Sequence, residues 1–581
     1  VTITEALRIT QSAPRDARPF GVKLACGFTP LHLQTFLAAH LQQGLPDRKV
    51  TIASGLYGNL IGTLEDLTDT TPPDGLVIAM EWSDLDGRLD YRGAGSWGLA
   101  AQADVVSSAR EILNRIAGAV ERIPAGLRVA LSLPPLPLPP MFHTAGWQAS
   151  QYELALQADL LQFAANVAQS GRVAVINTQR LDEQSPAANR LDLKSNLYTG
   201  LPHAVEHAER LASLLALALV PPAAKKGIIS DLDDTLWSGI AGEVGPDAVS
   251  WDLASHAQLH GLYQKLLSSL AESGTLIGIA SKNDPAVVAQ ALERKDMLLR
   301  PAQIFPIEVH WNAKSGSVGR ILEAWNIGAD SVIFVDDSPM ELAEVAAVHP
   351  GIECVLFPKN DYQACLAMLR HLRDRCGKER ISSDDALRLD SIRQGAAFRE
   401  QAAAGTAPES FLEKIDAVVT IDFAAGGEPR VLELVNKTNQ FNLNGRRYTE
   451  ADWRKLLSQS GAIVAAVSYE DKFGPLGTIA AAAGRLDGKV LVLETWVMSC
   501  RAFARRIEHQ TLKMLFESTN ASEIQFRFVP TSKNAPLREV LATFLGEEPT
   551  ADFTLTRSQF EAHCPLLYHE VHEMRRAEAH G

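Results

Sequence analysis

Short apolar runs alternate with longer stretches of helical periodicity over the first two thirds of the chain. From residue 21, "VKLACGF", "KVTIASGL", "GLVIAMEW", "LRVALSLP" and "GRVAVINTQ" are short and continuously apolar, the pattern of parallel strands covered on both faces. They predict one α/β domain over residues 1–220. A second set, "GIIS", "TLIGIAS", "IFPIEVH", "SVIFVDD" and "IECVLF", begins after Lys225 and predicts another α/β domain over 221–380. The charged segment "RDRCGKERISSDDALRLDSIRQGAAFREQAAAG" then predicts an exposed helix and linker, 381–410. Beyond it the strands lengthen and alternate. "AAAAGRLDGKVLVLETWVM" is expected to form a hairpin turning at Asp487 and Gly488, followed by a helix from about Arg501 and the strand "EIQFRFVP". Residues 411–581 are therefore an α+β region.

Length agrees with that division: 581 residues, at roughly 150 per domain, correspond to about three or four domains. Charged residues at 21% and hydrophobic ones at 46% describe a globular chain, and the net charge of −14 argues against non-specific nucleic-acid binding. The longest apolar candidate, "LASLLALALVPPAA", stops at Pro221, too short for a membrane span, and reads as a buried helix. "LSLPPLPLPPM" follows a strand directly and reads as a rigid loop rather than a polyproline ligand. Six scattered cysteines without metal-ligand spacing and no secretory pattern at the start lead to the expectation of free thiols and a cytoplasmic protein.

The chemistry concentrates at strand ends. "GIISDLDDTLWSG" sets Asp231 and Asp233 where an apolar strand stops, which is where open α/β sheets bind ligands. Phosphoryl transfer to a carboxylate needs a nucleophilic acid, a divalent cation and a second acid to protonate the leaving oxygen. "FVDDSP" adds Asp336 and Asp337 for an oxygen-rich magnesium site. Ser281 after "LIGIA" and Lys314 in "HWNAKSG" are placed to bind and neutralise a phosphate.

These pieces in this order resemble the haloacid dehalogenase superfamily of phosphatases and phosphotransferases. The resemblance implies Asp231 as nucleophile, Asp233 as general acid/base, Thr235 and Ser281 as phosphate ligands with Lys282 and Asn283 of "SKND" beside them, and Lys314 as the stabilising cation. It implies Mg2+ held by Asp231, the Asp233 backbone carbonyl and Asp337, with Asp336 behind them. About 50 residues separate Asp231 from Ser281 and about 33 separate Ser281 from Lys314, leaving no room for a large cap, so an open site is expected.

Downstream, "RVLELVNKTNQFNLNGRRYT" is unusually polar for the end of a helix. With "DLDDTLWSG", "SKND" and "DDSP" it resembles the FkbH-type enzymes over roughly residues 225 to 570. Such enzymes take the glyceryl group of 1,3-bisphosphoglycerate, remove phosphate and load the acyl group on the phosphopantetheine thiol of an acyl carrier protein for polyketide-type pathways. The resemblance places Asn436, Lys437, Thr438, Asn439, Gln440 and Asn442 among the substrate-binding residues. The last region resembles GNAT-type acyltransferases, with Arg501 near the expected phosphate-binding helix start and Ala502, Phe503 and Ala504 in place of a Gly-rich turn. Cys500 in "MSCRAF", near Arg501, Arg505 and Arg506, is a candidate thiolate to hold the glyceryl group transiently.

The first domain resembles a degenerate SGNH-hydrolase-like module, with Gly27 of "LACGFTP" at the nucleophile's place and Ser54, His203 and His207 as conceivable partners; a non-catalytic domain is expected. Two competing readings stand beside the glyceryltransferase: a Mg-dependent phosphatase acting on a sugar phosphate or polysaccharide precursor, and a scaffold that docks a megasynthase.

Overall fold

The computed structural model describes residues 1–574 except positions 15, 69–72, 94–98, 125, 141–142, 404–411, 473, 500–501, 504 and 532. The chain forms two compact units, Val1–Pro222 with Thr449–Ala451, and Ala223–Tyr448 with Asp452–Gly581. It is a mixed α/β, multidomain protein.

In the first unit β1 (Arg18–Ala25), β2 (Arg48–Ser54), β3 (Gly75–Ala79), β4 (Arg128–Ser132) and β5 (Val173–Val175) make an all-parallel sheet in the order β2-β1-β3-β4-β5. Every residue of β3 is buried, as its uninterrupted apolar sequence requires. The proline-rich loop after β4 is pinned by Trp82 Nε1, which donates to Leu136 O at 2.8 Å, and by Arg190, which donates to Pro135 O at 2.7 Å. The apolar run before Pro221 is the helix Val205–Leu219, and no described helix is long and apolar enough to cross a membrane.

The second unit holds two sheets. β6 (Gly227–Ser230), β7 (Leu276–Ser281), β8 (Ile304–Val309), β9 (Val332–Asp336) and β10 (Glu353–Leu356) are parallel in the order β10-β9-β6-β7-β8. β6 is central and fully buried. Glycine at 227 lets Trp325 close over the strand, because a Cβ there would stand 2.5 Å from its ring. Between β6 and β7 lie the short helix Ala241–Val244 and the helix Gln258–Glu272, and between β7 and β8 the helix Pro285–Leu292 and one 3-10 turn. No larger insertion overhangs the carboxyl edge of this sheet at those two points.

The other sheet comprises β11 (Val418–Asp422), β12 (Phe441–Asn442), β13 (Ala462–Asp471), β14 (Gly474–Asp487), β15 (Val490–Met498), β16 (Glu523–Phe526), β17 (Phe553–Thr556) and β18 (Glu570–Met574), in the order β17-β16-β15-β14-β13-β11-β18 with β12 on β15. Three expectations need correction. The β14–β15 hairpin turns at Gly488 and Lys489, because Asp487 is still paired with Val490 and the positive φ of 60° falls on Gly488. The following helix starts at Ile507, not near Arg501, after Arg506 in the left-handed region at φ 58°. The helix Ser383–Ala403 is not merely exposed: Ser391 and Ile392 are buried, and Ile392 belongs to the core that covers β6 through Ile229. Its apolar stripe of Leu389, Ile392 and Ala396 is too sparse to stand out from the charges around it.

Candidate active site

Strand alternation explains the first acid. β6 ends at Ser230, and Asp231 follows it at the carboxyl edge, 5% exposed. On the neighbouring strand β9 the last residue is Asp336, fully buried, so parallel pairing of β6 with β9 brings two carboxylates together. Lys314, the first residue of the helix Lys314–Trp325 and itself buried, joins them: Nζ lies 3.0 Å from Asp231 Oδ2 and 2.6 Å from Asp336 Oδ2. Asp336 Oδ1 accepts the Ser338 amide at 2.8 Å, and Ser338 caps the helix Pro339–Val348 with Pro339 at its first position, which is why "DDSP" turns sharply off the strand.

Burial pushes the Asp231 carboxyl up to about 7 although Lys314 opposes the shift, and it raises Asp336 as well. For Lys314 burial acts the other way, but the charges of Asp231 and Asp336 outweigh it and hold the ammonium above its ordinary value. The three charges thus depend on one another.

Asp233 lies at the same edge and accepts from three donors: Trp237 Nε1 at 2.8 Å and the Ala241 amide at 3.1 Å on Oδ1, Asn283 Nδ2 at 2.8 Å on Oδ2. Burial raises its pKa against these bonds. Asn283 therefore positions Asp233 rather than meeting a phosphate directly. Lys282 is 2.8 Å from Glu341 and so has a protein partner. Ser281 is buried at the end of β7, and Thr235 is fully buried with a hydroxyl that makes no hydrogen bond. Asp231 Oδ1 is likewise buried and unpartnered. An orphaned oxygen on the carboxylate that pairs with a buried lysine, and an orphaned hydroxyl four residues on, are what a bound phosphate and cation would satisfy.

Asp231, Asp336 and Asp337 offer ligand atoms all within 4.8 Å of one another. Both Asp336 oxygens are engaged by Lys314 and Ser338, which leaves Asp231 and Asp337 the freer donors. One residue at this edge carried no sequence signal: Lys359, just beyond β10, spans Asp234 Oδ2 and Asp337 Oδ2 at 2.9 Å each.

The "NKTNQFN" residues are elsewhere. Asn436 pairs with the Tyr448 backbone at both ends of its amide, donating to the carbonyl at 2.8 Å and accepting the N–H at 2.9 Å. Thr438 donates to Leu434 O at 2.7 Å; Asn442 donates to Thr438 O at 3.0 Å and accepts the amides of Asn444 and Gly445. Arg447 donates to Asn439, Lys437 pairs with Glu433 at 2.6 Å, and Gln440 Oε1 is buried without a partner. The run is largely a backbone clamp. It seats β12, which takes over from β16 along β15: β15 pairs β16 through Leu493–Phe526 and β12 at Val497 and Met498, and Leu443 bridges Trp496 and Val529 by backbone hydrogen bonds. Past Leu493, where the β15–β16 pairing ends, that side of β15 is taken by β12.

This clamp lies at the other end of β6 from Asp231. Lys226, immediately before the strand, donates to Lys437 O at 3.5 Å, and Lys533 pairs at 2.6 Å with Asp330 ahead of β9. The structure therefore does not bring the Asn436–Asn442 set to the carboxylate cluster. Cys500 and Arg501 lie outside the described residues. Their neighbours Arg505 and Arg506 are committed, the first to Asp471 at 3.4 Å and the second to Leu566 O at 2.7 Å.

No family model and no curated protein matches the chain. Among solved structures, the N-terminal part of the protein BF1531 from Bacteroides fragilis, which contains a phosphatase domain and is complexed with Mg, matches with a TM-score of 0.50 at 19% identity, over 64% of this chain and 98% of that one. What the two share is the fold. At that level the comparison agrees with the α/β multidomain architecture that the strand patterns imply.

Proposed function

We propose that the Asp231 cluster is a Mg2+-dependent phosphoryl-transfer centre of the haloacid dehalogenase kind, and that the chain acts as an FkbH-type glyceryltransferase and phosphatase on 1,3-bisphosphoglycerate and a phosphopantetheinylated acyl carrier protein. The observation that carries the reading is the buried, unpartnered Asp231 Oδ1 beside Lys314, with the Thr235 hydroxyl also unsatisfied. Asp231 and Asp337 would hold the cation with Asp336 behind them. Mg2+ bound there neutralises phosphate oxygens so that an anionic carboxylate can approach.

In the first half-reaction Asp231 Oδ1 forms a bond to phosphorus as the ester P–O bond breaks, and Asp233 gives its proton to the leaving alkoxide. In the second, Asp233 takes a proton from water as the water oxygen attacks phosphorus and releases the Asp231 carboxylate. Lys314 balances the charge on the phosphoryl oxygens, while Trp237, Ala241 and Asn283 hold the Asp233 carboxyl in place. Acyl transfer would be a separate step: a thiol, for which Cys500 is the candidate, displaces phosphate from the acyl phosphate, and the carrier thiol then displaces Cys500.

Intact-mass analysis of carrier proteins incubated with enzyme, magnesium and 1,3-bisphosphoglycerate tests this. A carrier heavier by one glyceryl group is expected. The separation of the Asn436–Asn442 clamp from Asp231 favours one other reading, a plain Mg2+-dependent phosphatase for a sugar phosphate or polysaccharide precursor. Phosphate release with no mass added to any carrier would favour that reading.

A further inference from the structure

The first unit contains a cavity of about 470 Å³ at the carboxyl edge of its sheet, lined by residues that follow β1, β2, β3 and β4. The sheet order β2-β1-β3 reverses direction between β1 and β3, and such switch points are where open parallel sheets bind ligands. Gly27 and Phe28 follow β1 and the segment Glu81–Asp84 follows β3, so both sides of the switch point face the cavity.

Its chemistry is that of a recognition site. Glu81 is 3% exposed; Oε1 is 2.6 Å from His203 Nε2, and Oε2 makes no hydrogen bond. A buried carboxylate oxygen left unpaired is costly unless a ligand donates to it. Asp84 stands alongside, accepting the Glu81 amide at 2.7 Å. Glycine at 27 makes room for it, since a Cβ there would lie 1.9 Å from Asp84 Oδ1. A side chain at position 27 would meet Asp84 Oδ1 where it now stands, so in this arrangement the site presents an acid at the place of a hydroxyl.

Four carboxyl side chains, Glu65, Glu81, Asp84 and Asp90, line the cavity against one base, Arg115, and Trp82 and two tyrosines supply aromatic walls. Among the described residues these acids do not converge to metal-ligand spacing as the Asp231 cluster does. A bare divalent ion is therefore a poor fit, whereas an elongated molecule with a positive end satisfies Glu81 Oε2, offsets the excess negative charge and stacks on aromatic faces. We infer that this cavity binds a small organic cation, an amine on a short apolar stem, with its ammonium donating to Glu81 and Asp84. Burial raises both carboxyls, Asp84 to about 7, so neither is comfortable as an anion without such a partner.

Isothermal titration of the full chain with 1,6-diaminohexane and with 1,6-hexanediol, a neutral probe of equal length, tests the inference. One diamine is expected per chain, at least tenfold tighter than the diol. Glu81→Gln should weaken the diamine tenfold or more and leave the diol and phosphate release unchanged. Equal binding of the two probes, no binding of either at millimolar concentration, or undiminished diamine binding by a folded Glu81→Gln or Asp84→Asn variant would overturn it. The last outcome would mean that the diamine is attracted only by the net negative surface. If neither variant folds, the comparison of diamine with diol on the unaltered chain still decides.

Discussion

Lys314 is the most informative residue to remove. Its ammonium is 3.0 Å from Asp231 and 2.6 Å from Asp336, and all three groups are buried. At an effective dielectric of 20 each contact is worth about 5 to 6 kcal/mol of Coulomb attraction, offset by the cost of burying the ions. Breaking a buried pair from one side leaves that cost unpaid and typically destabilises by about 3–5 kcal/mol. Lys314→Met keeps the volume and deletes the charge, so in EDTA the second unit should lose about 3–5 kcal/mol in urea unfolding. Adding Mg2+ should restore part of it, because a divalent ion between Asp231 and Asp337 takes over the neutralising role, and the variant should gain more from Mg2+ than the unaltered protein does. A second change, Asp336→Asn, should recover stability in EDTA by removing one orphaned charge. Phosphate release should still fall about 100-fold or more, the scale seen when a charge-stabilising donor is lost. A loss below about 1 kcal/mol in EDTA, or no greater gain from Mg2+ than in the unaltered protein, would refute the view that lysine and cation share one buried negative site.

Asp231→Asn should abolish phosphate release with the fold intact, checked by malachite-green assay and circular dichroism, because the amide keeps the shape but is not an anionic nucleophile. Asp337→Ala should weaken Mg2+, with activity partly regained at high magnesium, as read by titration of turnover against metal. Asn436→Ala should cost about 1–3 kcal/mol by urea unfolding and leave KM for phosphate release unchanged, since the side chain serves the Tyr448 backbone. His207 is buried, and burial pushes its pKa down to about 2, so the folded state does not take up the proton that the unfolded chain binds below about 6.5. Stability of the first unit present above pH 6.5 should fall as pH drops, by about 1.4 kcal/mol per unit from this group, and His207→Gln should flatten that slope in pulse proteolysis at graded urea.

The parallel strands were legible because their environment is simple: a strand covered on both faces must be apolar throughout, and Gly227–Ser230 and Val332–Asp336 are. Asp231 and Asp336 stood out because ionisable residues ending such strands have no packing reason to be there. What joins them was less visible. Lys314 touches both only because β6 pairs with β9, and Lys359 reaches Asp234 and Asp337 from a loop more than a hundred residues after Asp234. The polar run at Asn436–Asn442 was legible as important and misleading about its role, since side chains that replace backbone partners look like side chains that await a substrate. Glu81 and Asp84 lie in the charged stretch "EWSDLD", which carries no chemical signature of its own, and their placement depends on an absence, the missing Cβ at Gly27, that composition does not reveal.

The separation of the carboxylate cluster from the Asn436–Asn442 clamp constrains any account in which one chain both removes phosphate and moves an acyl group. β6 has four residues, so its ends are on the order of 13 Å apart, and the Lys226–Lys437 contact lies at the end away from Asp231. No single bound pose places one three-carbon substrate against Asp231 and also against residues anchored beyond the opposite end of the strand. The acyl-bearing group must therefore either complete both steps at the carboxyl edge or travel between them attached to something longer than itself, a carrier arm or a mobile thiol. Which step comes first is separated when phosphate release is blocked. With Asp231→Asn and 1,3-bisphosphoglycerate, acyl transfer ahead of phosphate removal predicts that enzyme or carrier accumulates a phosphoglyceryl adduct, heavier than the glyceryl adduct by one phosphate. A requirement for phosphate removal first predicts no adduct at all.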